Sequence, residues 1–76
     1  MTKIIIEIEN GVLSNVISND NVQYKLIDWD NVKQGDKIDN SFYEPDMVVD
    51  ENEFNEILNE NIEIANKFYK TINGEE

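Results

Sequence analysis

The sequence predicts an α+β fold in which a three-stranded antiparallel β-meander packs against one long C-terminal α-helix. Hydrophobic residues alternate with period two over the first thirty residues, and Asn-Gly and Asn-Asp-Asn interrupt that alternation. After residue 50, hydrophobic residues recur every three or four positions. The 76 residues are expected to form a single domain, 1–76, with strands at about 3–9, 12–18 and 22–29, a connection over 30–49 and a helix over about 51–73.

The first predicted strand, residues 3–9, has one apolar face. Isoleucines occupy every second position from Ile4 to Ile8, while Glu7 and Glu9 fall on the opposite face, as is typical of a half-buried strand. Asn10-Gly11 follows directly and predicts a tight hairpin turn, because both residues tolerate positive φ.

The register of this hairpin has two solutions. A two-residue type I′ turn pairs Ile8 with Leu13 and turns Leu13 and Ile17 inward. A three-residue turn with a left-handed glycine bulge turns Val12 and Val16 inward instead. A shift of one residue exchanges the two faces of a strand, so the pattern alone leaves both registers open.

Asn19-Asp20-Asn21 predicts a second turn, and the alternation over 22–29 predicts the third strand. Residues 30–49 have weak periodicity and are interpreted as a long surface connection. A short extended piece over 47–49 would add a fourth strand. Either the connection carries function, or Phe42 and Tyr43 hold it across one end of the core. Twenty residues without regular structure are unusual in so small a domain.

The C-terminal helix has the clearest signals. Asp50 occupies the N-cap position with Glu53 three residues later, which is the pattern of a capping box, and Gly74 follows as a stop. A helix of about 22 residues, roughly 33 Å long, is expected to lie across the sheet. Its apolar positions are Phe54, Ile57, Leu58, Ile62, Ala65, Phe68, Tyr69 and Ile72. Glu75 and Glu76 are expected to form a free tail.

Composition excludes several classes of function. The formal net charge is -11, and arginine, histidine and cysteine are all absent. Zinc sites, thiol catalysis and serine triads need cysteine or histidine, and direct nucleic-acid binding needs a basic face. We therefore expect no catalytic residues, no metal and no cofactor. No apolar run is long enough for a signal sequence or a membrane span, so membrane association is not expected and a cytoplasmic location is the simplest interpretation.

The exposed face of the predicted helix carries the main candidate binding residues. Glu53, Glu56, Glu60 and Glu63 lie within a band of roughly 80° opposite the apolar positions. One interpretation is an ordinary solvated face in an acidic protein. The other is a row of carboxylates that imitates a phosphate backbone. The solvated face is the simpler of the two, and the net charge supports the mimic because it exceeds the magnitude of about 2–8 that solubility needs.

A second candidate group is Asp28, Trp29 and Asp30 at the end of the predicted third strand. These residues suggest a calcium loop, but Val32 and Lys33 occupy positions where an EF-hand needs a ligand and a glycine. An acidic turn is the simpler interpretation, with the Trp29 ring either closing the core or standing at an interface.

Two residues of the helix do not fit its apolar pattern. Asn61 falls within the apolar stripe, where it acts either as a satisfied core amide or as part of a dimer seam. Ile64 points away from the stripe, so it is either half-exposed or part of a contact surface.

The segment 4–31 contains a further pattern, made of Ile5-Ile6-Glu7-Ile8, Gly11-Val12, Val16-Ile17-Ser18, Val22 and Leu26-Ile27-Asp28-Trp29-Asp30-Asn31. In this pattern the chain resembles a family of short proteins carried by phages, plasmids and bacterial mobile elements. The resemblance implies a small β-meander product of a mobile element, with no activity to carry over. By analogy, small acidic proteins of such elements resemble inhibitors of host nucleases.

These observations favour a small acidic, non-enzymatic binding protein that inhibits or occupies the basic, nucleic-acid-binding surface of another protein by charge mimicry. The candidate contacts are Glu53, Glu56, Glu60 and Glu63, with Asp28, Trp29 and Asp30. An alternative is a structural or regulatory homo-oligomer, such as a homodimer, assembled through a sheet edge or through Trp29 and Ile64. A second alternative is a small-ligand sponge formed between protomers.

Overall fold

The computed structural model describes residues 1–74 and confirms the α+β class. In chain order it contains β1 (Ile4–Glu9), β2 (Val12–Ser18), α1 (Trp29–Lys33), β3 (Met47–Val48) and α2 (Glu51–Ile72). The strands form one sheet in the order β1-β2-β3. The tail predicted at Glu75 and Glu76 lies outside the described residues.

The hairpin between β1 and β2 has the two-residue turn. Asn10 and Gly11 both have positive φ, 53° and 74°, which is the type I′ geometry, and Ile8 pairs with Leu13. A β-bulge then inserts Ser14 between the pairs Glu7–Asn15 and Ile8–Leu13. The Ser14 hydroxyl donates a hydrogen bond to the Glu7 carbonyl oxygen across 3.1 Å.

The bulge changes which residues share a face. Directly opposed residues in an antiparallel pair lie on the same face, so Leu13 shares a face with Ile8, and Val16 shares it with Ile6. Ile17 pairs with Ile5 on the other face. Leu13 is half-buried and Ile17 is buried, as the type I′ alternative expects, but the two lie on opposite faces because the extra residue of the bulge shifts the alternation.

The predicted third strand over 22–29 is wrong. The third strand of the sheet is β3, which pairs with β2 in parallel through Ile17–Met47 and Ser18–Val48. This is the short extended piece expected near 47–49. A parallel neighbour needs a long crossover, and the chain between β2 and β3 provides it.

Hydrogen bonds to the edge of β2 explain why residues 22–29 are not a strand. Asp46 makes two hydrogen bonds with the backbone of Val16, both across 2.8 Å. The Asp46 N–H donates to the Val16 carbonyl oxygen, and the Asp46 carboxylate accepts from the Val16 N–H. The Val49 N–H donates to Ser18 across 2.9 Å. Because this edge is already occupied, residues 22–29 have no place beside β2.

The segment 22–28 pairs with the later connection at a single bridge. Tyr24 and Tyr43 exchange two backbone hydrogen bonds of 2.9 Å, and their rings lie 6.1 Å apart. Next to this bridge, the Lys25 ammonium donates to the Asp39 carboxylate, the Asp39 carbonyl and the Ser41 carbonyl across 2.7–2.9 Å. These contacts hold the connection in place without a continuous strand.

The long helix α2 matches its predicted bounds to within a residue. The Asp50 carboxylate accepts a hydrogen bond from the Glu53 N–H across 2.8 Å, which confirms its role as N-cap. At the other end Gly74 has φ 71°, the left-handed conformation that terminates a helix.

The core is small, and its residues belong to β2 and to the start of α2. The buried hydrophobic side chains among residues 1–74 are Val16, Ile17 and Phe54, accompanied by buried Ser18. Along α2, Phe54 is buried and Ile57, Leu58 and Asn61 are half-buried, whereas residues 62–72 are exposed. The helix therefore packs on the body through its first three turns only.

Candidate protein-binding surfaces

The acidic row of α2 consists of Glu53, Glu56, Glu60 and Glu63, and all four residues are exposed. The eleven residues from Glu53 to Glu63 span about 15 Å along the helix axis, which is about 5 Å between successive charges. One strand of B-DNA carries a phosphate about every 3.4 Å. The acidic row is therefore a straight, rigid line of negative charge of somewhat lower density than a nucleic-acid strand.

The carboxylates of the acidic row have no lysine partner among residues 1–74. The ion pairs in this part of the chain are Lys3–Glu51 and Lys25–Asp39. Lys67 is on the same helix but is not within ion-pair distance of Glu63. The negative charge of the row is therefore available to a partner.

Glu51 lies on the same helix but is used within the protein. Its carboxylate accepts hydrogen bonds from the Lys3 ammonium and the Asn19 amide, each across 3.2 Å. The hydrogen bond and the charge of Lys3, followed by the Asn19 hydrogen bond, lower the pKa of Glu51 below its usual value. Glu51 thus fastens the start of α2 to the N-terminal segment and does not join the acidic row.

Asp28, Trp29 and Asp30 form the start of α1 rather than the end of a strand. The Asp28 carboxylate accepts hydrogen bonds from the Asp30 N–H across 3.0 Å and from the Asn31 N–H across 3.4 Å. It is therefore the N-cap of this short helix. Asp28 followed by acidic Asp30, with Gly35 shortly after, is a signal for a short helix that the alternation of the preceding residues concealed.

Trp29 is 61% exposed, so it does not close the core, and its place at an interface stays a prediction. Asp30 is exposed as well. The helices α1 and α2 share no extensive contact. The structure therefore brings the acidic row together on one helix, but it leaves Asp28, Trp29 and Asp30 on a separate element.

A third surface was missed by the sequence reasoning, which expected it to be covered by the sheet. It is the exposed apolar stripe on the second half of α2. Its members are Ile62, Phe68, Tyr69 and Ile72 of the predicted apolar positions, together with Ile64, which lies beside their edge and widens the surface; all five are between 49% and 83% exposed. The count of eleven isoleucines was a usable signal, because so small a core cannot bury them all.

The hairpin exposes a further apolar surface. Ile4, Ile6 and Ile8 of β1 are exposed on one face of the hairpin. Val12 of β2 is exposed as well, but it pairs with Glu9 and therefore lies on the other face. β1 is also an edge strand, because its only neighbour in the sheet is β2. Edge strands with unpaired backbone groups are sites where another chain can add a strand.

The grooves of the described part of the chain are shallow and open. One lies between residues 25–28, α1 and residues 36–39, and another between the hairpin tip and residues 26–31. Residues 1–74 contain no cluster of three or more acidic side chains placed to hold a metal ion. None of the helices described is both long and apolar enough to cross a bilayer.

These features describe a small α+β protein with a charged helix face and two exposed apolar surfaces. The chain matches no protein-family model, no curated protein and no solved structure. The resemblance of residues 4–31 to mobile-element proteins therefore stays a prediction.

Proposed function

We propose that this protein is a small acidic, non-enzymatic binding protein that occupies a basic, nucleic-acid-binding surface of another protein through the acidic row. The observation that supports this proposal best is the line of four exposed carboxylates on a capped helix, none paired with a lysine of residues 1–74. A rigid line of unpaired charge reaches its partner by long-range attraction and loses little conformational entropy on binding.

Inhibition follows from the same geometry. A basic groove that holds the acidic row has its positive charges neutralised, so it can no longer bind phosphates. The target is then a cytoplasmic nucleic-acid-binding protein of the host, in keeping with the mobile-element origin that the resemblance of residues 4–31 implies. Asp28, Trp29 and Asp30 extend the same partner surface through α1.

The test is affinity capture from host lysate with wild type and with a variant in which Glu53, Glu56, Glu60 and Glu63 are replaced by glutamine. A matched control replaces four other exposed acids by their amides: Glu9, Asp20, Asp36 and Glu44. Both variants lose four negative charges of the net -11, so they differ only in where the charge is removed.

We expect wild type and the control to capture a protein that binds nucleic acid, and the acidic-row variant to lose it. Added DNA should displace the captured protein, and capture should weaken from about 0.1 M to about 1 M salt, where the Debye length falls from about 10 Å to about 3 Å. Equal capture by both variants, or capture insensitive to salt, would contradict charge mimicry.

The second candidate function is a structural or regulatory homo-oligomer assembled through a sheet edge or through Trp29 and Ile64. The exposed edge of β1 favours it, because a second copy could extend the sheet there. Substitution Ile6→Pro removes a backbone N–H on the free edge of β1, since Ile6 lies opposite Val16, whose own backbone groups bond Asp46 on the far side of β2. Trp29→Gln removes the exposed indole. If light scattering finds wild type and both variants equally monomeric at high micromolar concentration, assembly through these sites is excluded.

A further inference from the structure

The apolar stripe on the second half of α2 has no partner within residues 1–74. Phe68 is 66% exposed, Tyr69 is 63% exposed and Ile72 is 83% exposed, while Ile62 and Ile64 are about half exposed at 49% and 50%. Scattered exposed hydrophobic residues are ordinary, but a continuous set on one rigid element marks an interaction site.

The stripe is continuous around the helix as well as along it. At 100° per residue, its five members and Ala65 fall within an arc of roughly 160°. No charged residue between positions 62 and 72 lies in that arc. Lys67 and Lys70 lie on the opposite side of the helix, together with Glu63. The surface is therefore uncharged although the protein as a whole carries -11.

We propose that a second copy of this chain covers the apolar stripe, with the two α2 helices packed antiparallel across a twofold axis near residue 67. This goes beyond the acidic-row function and does not depend on it. It also uses a surface different from the edge of β1.

The area of the stripe is adequate for such a pair. A fully exposed aromatic side chain offers about 150–250 Å², so the exposed parts of Phe68 and Tyr69 alone supply roughly 200–320 Å² per protomer. With the three isoleucines, two identical stripes would bury on the order of 1,000 Å² in total, which is the lower limit for a specific interface. We therefore expect a dissociation constant in the micromolar range.

The small size of the core explains why a second copy is needed. The hydrophobic side chains buried within residues 1–74 are Val16, Ile17 and Phe54, and domains of this size often complete their cores by oligomerisation. An identical stripe is self-complementary in a twofold pair, because apolar residues meet apolar residues without a new charge pattern.

The antiparallel orientation of the two α2 helices follows from where the rest of the domain and the acidic row lie along the helix. The sheet and the core are attached to the first three turns of α2, and the acidic row also begins there. A parallel pair would bring two bodies and two acidic rows side by side. An antiparallel pair separates both and also aligns the two helix dipoles favourably.

The first test compares Phe68→Gln with Phe42→Gln by sedimentation at concentrations up to about 1 mM. Phe42 is 60% exposed and lies in the connection, so its substitution is a matched control. We expect Phe68→Gln to raise the dissociation constant about tenfold or more and Phe42→Gln to leave it unchanged. Because Phe68 is exposed in the protomer, circular dichroism should show that both variants fold.

A wild type that stays monomeric to about 1 mM, or a Phe68→Gln variant that dimerises as wild type does, would overturn the proposal. Loss of the dimer in Phe42→Gln alone would also overturn it, since the contact would then lie in the connection.

The salt dependence of dimerisation distinguishes this interface from the acidic-row function. Two protomers of charge -11 repel each other, so screening should strengthen dimerisation, whereas it should weaken binding to a basic partner. Replacing the four glutamates of the acidic row by glutamine should likewise strengthen the dimer. If salt weakened dimerisation, an apolar interface would be the wrong explanation.

A spin label tests the orientation. The chain has no cysteine, so Asn55→Cys provides a single exposed attachment site on the first half of α2. In the antiparallel pair the two labels are separated along the axis by roughly 36 Å, because each lies twelve residues from the twofold. A separation near the helix-to-helix spacing of about 8–10 Å would indicate a parallel pair and overturn this arrangement.

Discussion

Gly11 occupies the second position of the type I′ turn with φ 74°, where an L side chain is strained. No atom lies within 4 Å of the position that a Cβ would take, so a substitution meets the strain of the backbone and no steric clash. We therefore predict that Gly11→Ala lowers the free energy of unfolding by about 1 kcal/mol, measured by urea denaturation with far-UV circular dichroism.

The matched control is Asn10→Gly, at the other position of the same turn with φ 53°. Glycine adopts this conformation without strain, so the control should unfold at the same urea concentration as wild type or a higher one. An equal loss of stability in both variants would mean that the turn is not the cause.

The carboxylate of Asp39 has a predictable response to pH. The side-chain hydrogen bond from Lys25, the backbone N–H of Ser41 and then the charge of Lys25 lower the pKa of Asp39 below its usual value. A lowered pKa in the folded state stabilises the protein above about pH 4, where the unfolded carboxyl is ionised. This contribution is lost as the pH falls through the folded pKa.

Substitution Lys25→Gln should raise the pKa of Asp39 towards its usual value, because both the hydrogen bond and the charge of the ammonium are removed. Carbon-13 chemical shifts of the Asp39 carboxyl, followed through an acid titration, measure this directly. Lys33→Gln removes the same charge from α1 and should leave the titration of Asp39 as it is in wild type.

At the scale of the elements, the burial of Phe54 indicates where α2 packs on the rest of the domain. Phe54 is 2% exposed and is the one fully buried side chain of the helix among the residues described. We predict that Phe54→Ala costs about 3–5 kcal/mol of unfolding free energy, comparable with the whole stability of a small domain. Phe42→Ala, at a ring that is 60% exposed, should cost about 0.5 kcal/mol or less in the same urea experiment.

Similar losses in the two variants would show that Phe54 is not the anchor. In that case α2 would be held by its cap and by the Lys3–Glu51 pair, which joins exposed groups and is expected to contribute little.

The elements differ in how well they could be predicted from sequence. The helix α2 was predictable because its cap, its periodicity and its final glycine are all local signals. The first two strands were predictable for the same reason, although the bulge at Ser14 was not. The strand expected over 22–29 failed because strand formation needs a free neighbouring edge, and Asp46 and Val49 already occupy the edge of β2.

The candidate sites also differ in how well they could be predicted from sequence. The acidic row could be predicted from helical periodicity alone. Once the helix is predicted, the rotation of about 100° per residue determines which residues share a face. The exposure of the apolar stripe could not be predicted from sequence. A helix that packs along its whole length and a helix that packs along only half of it have the same periodicity. The difference depends on how far the small body extends beneath α2.

At the scale of the whole molecule, net charge opposes folding. Residues 1–74 form a flat, narrow body of 45 × 33 × 16 Å, and the chain has a net charge of -11, so many like charges lie close together within that body. We predict that the melting temperature rises as salt increases from about 0.01 M to about 0.15 M, where the Debye length shortens from about 30 Å to about 8 Å.

This measurement is best made at low protein concentration on Phe68→Gln, in which the proposed dimer is weakened and stability is that of the protomer. The acidic-row variant, combined with Phe68→Gln, should show a smaller rise because less charge is screened. A melting temperature independent of salt in both proteins would mean that repulsion between the carboxylates is not significant.

The sequence by itself determined the α+β class, the hairpin at Asn10-Gly11, the bounds of α2 and the position of the acidic row. Each depends on turn chemistry, capping or periodicity, which act between residues close together in the chain. Only the tertiary structure decided that β3 pairs with β2, that α1 replaces the end of a strand, and that the second half of α2 is uncovered. These depend on which distant groups compete for one edge and on how much surface a small core can cover.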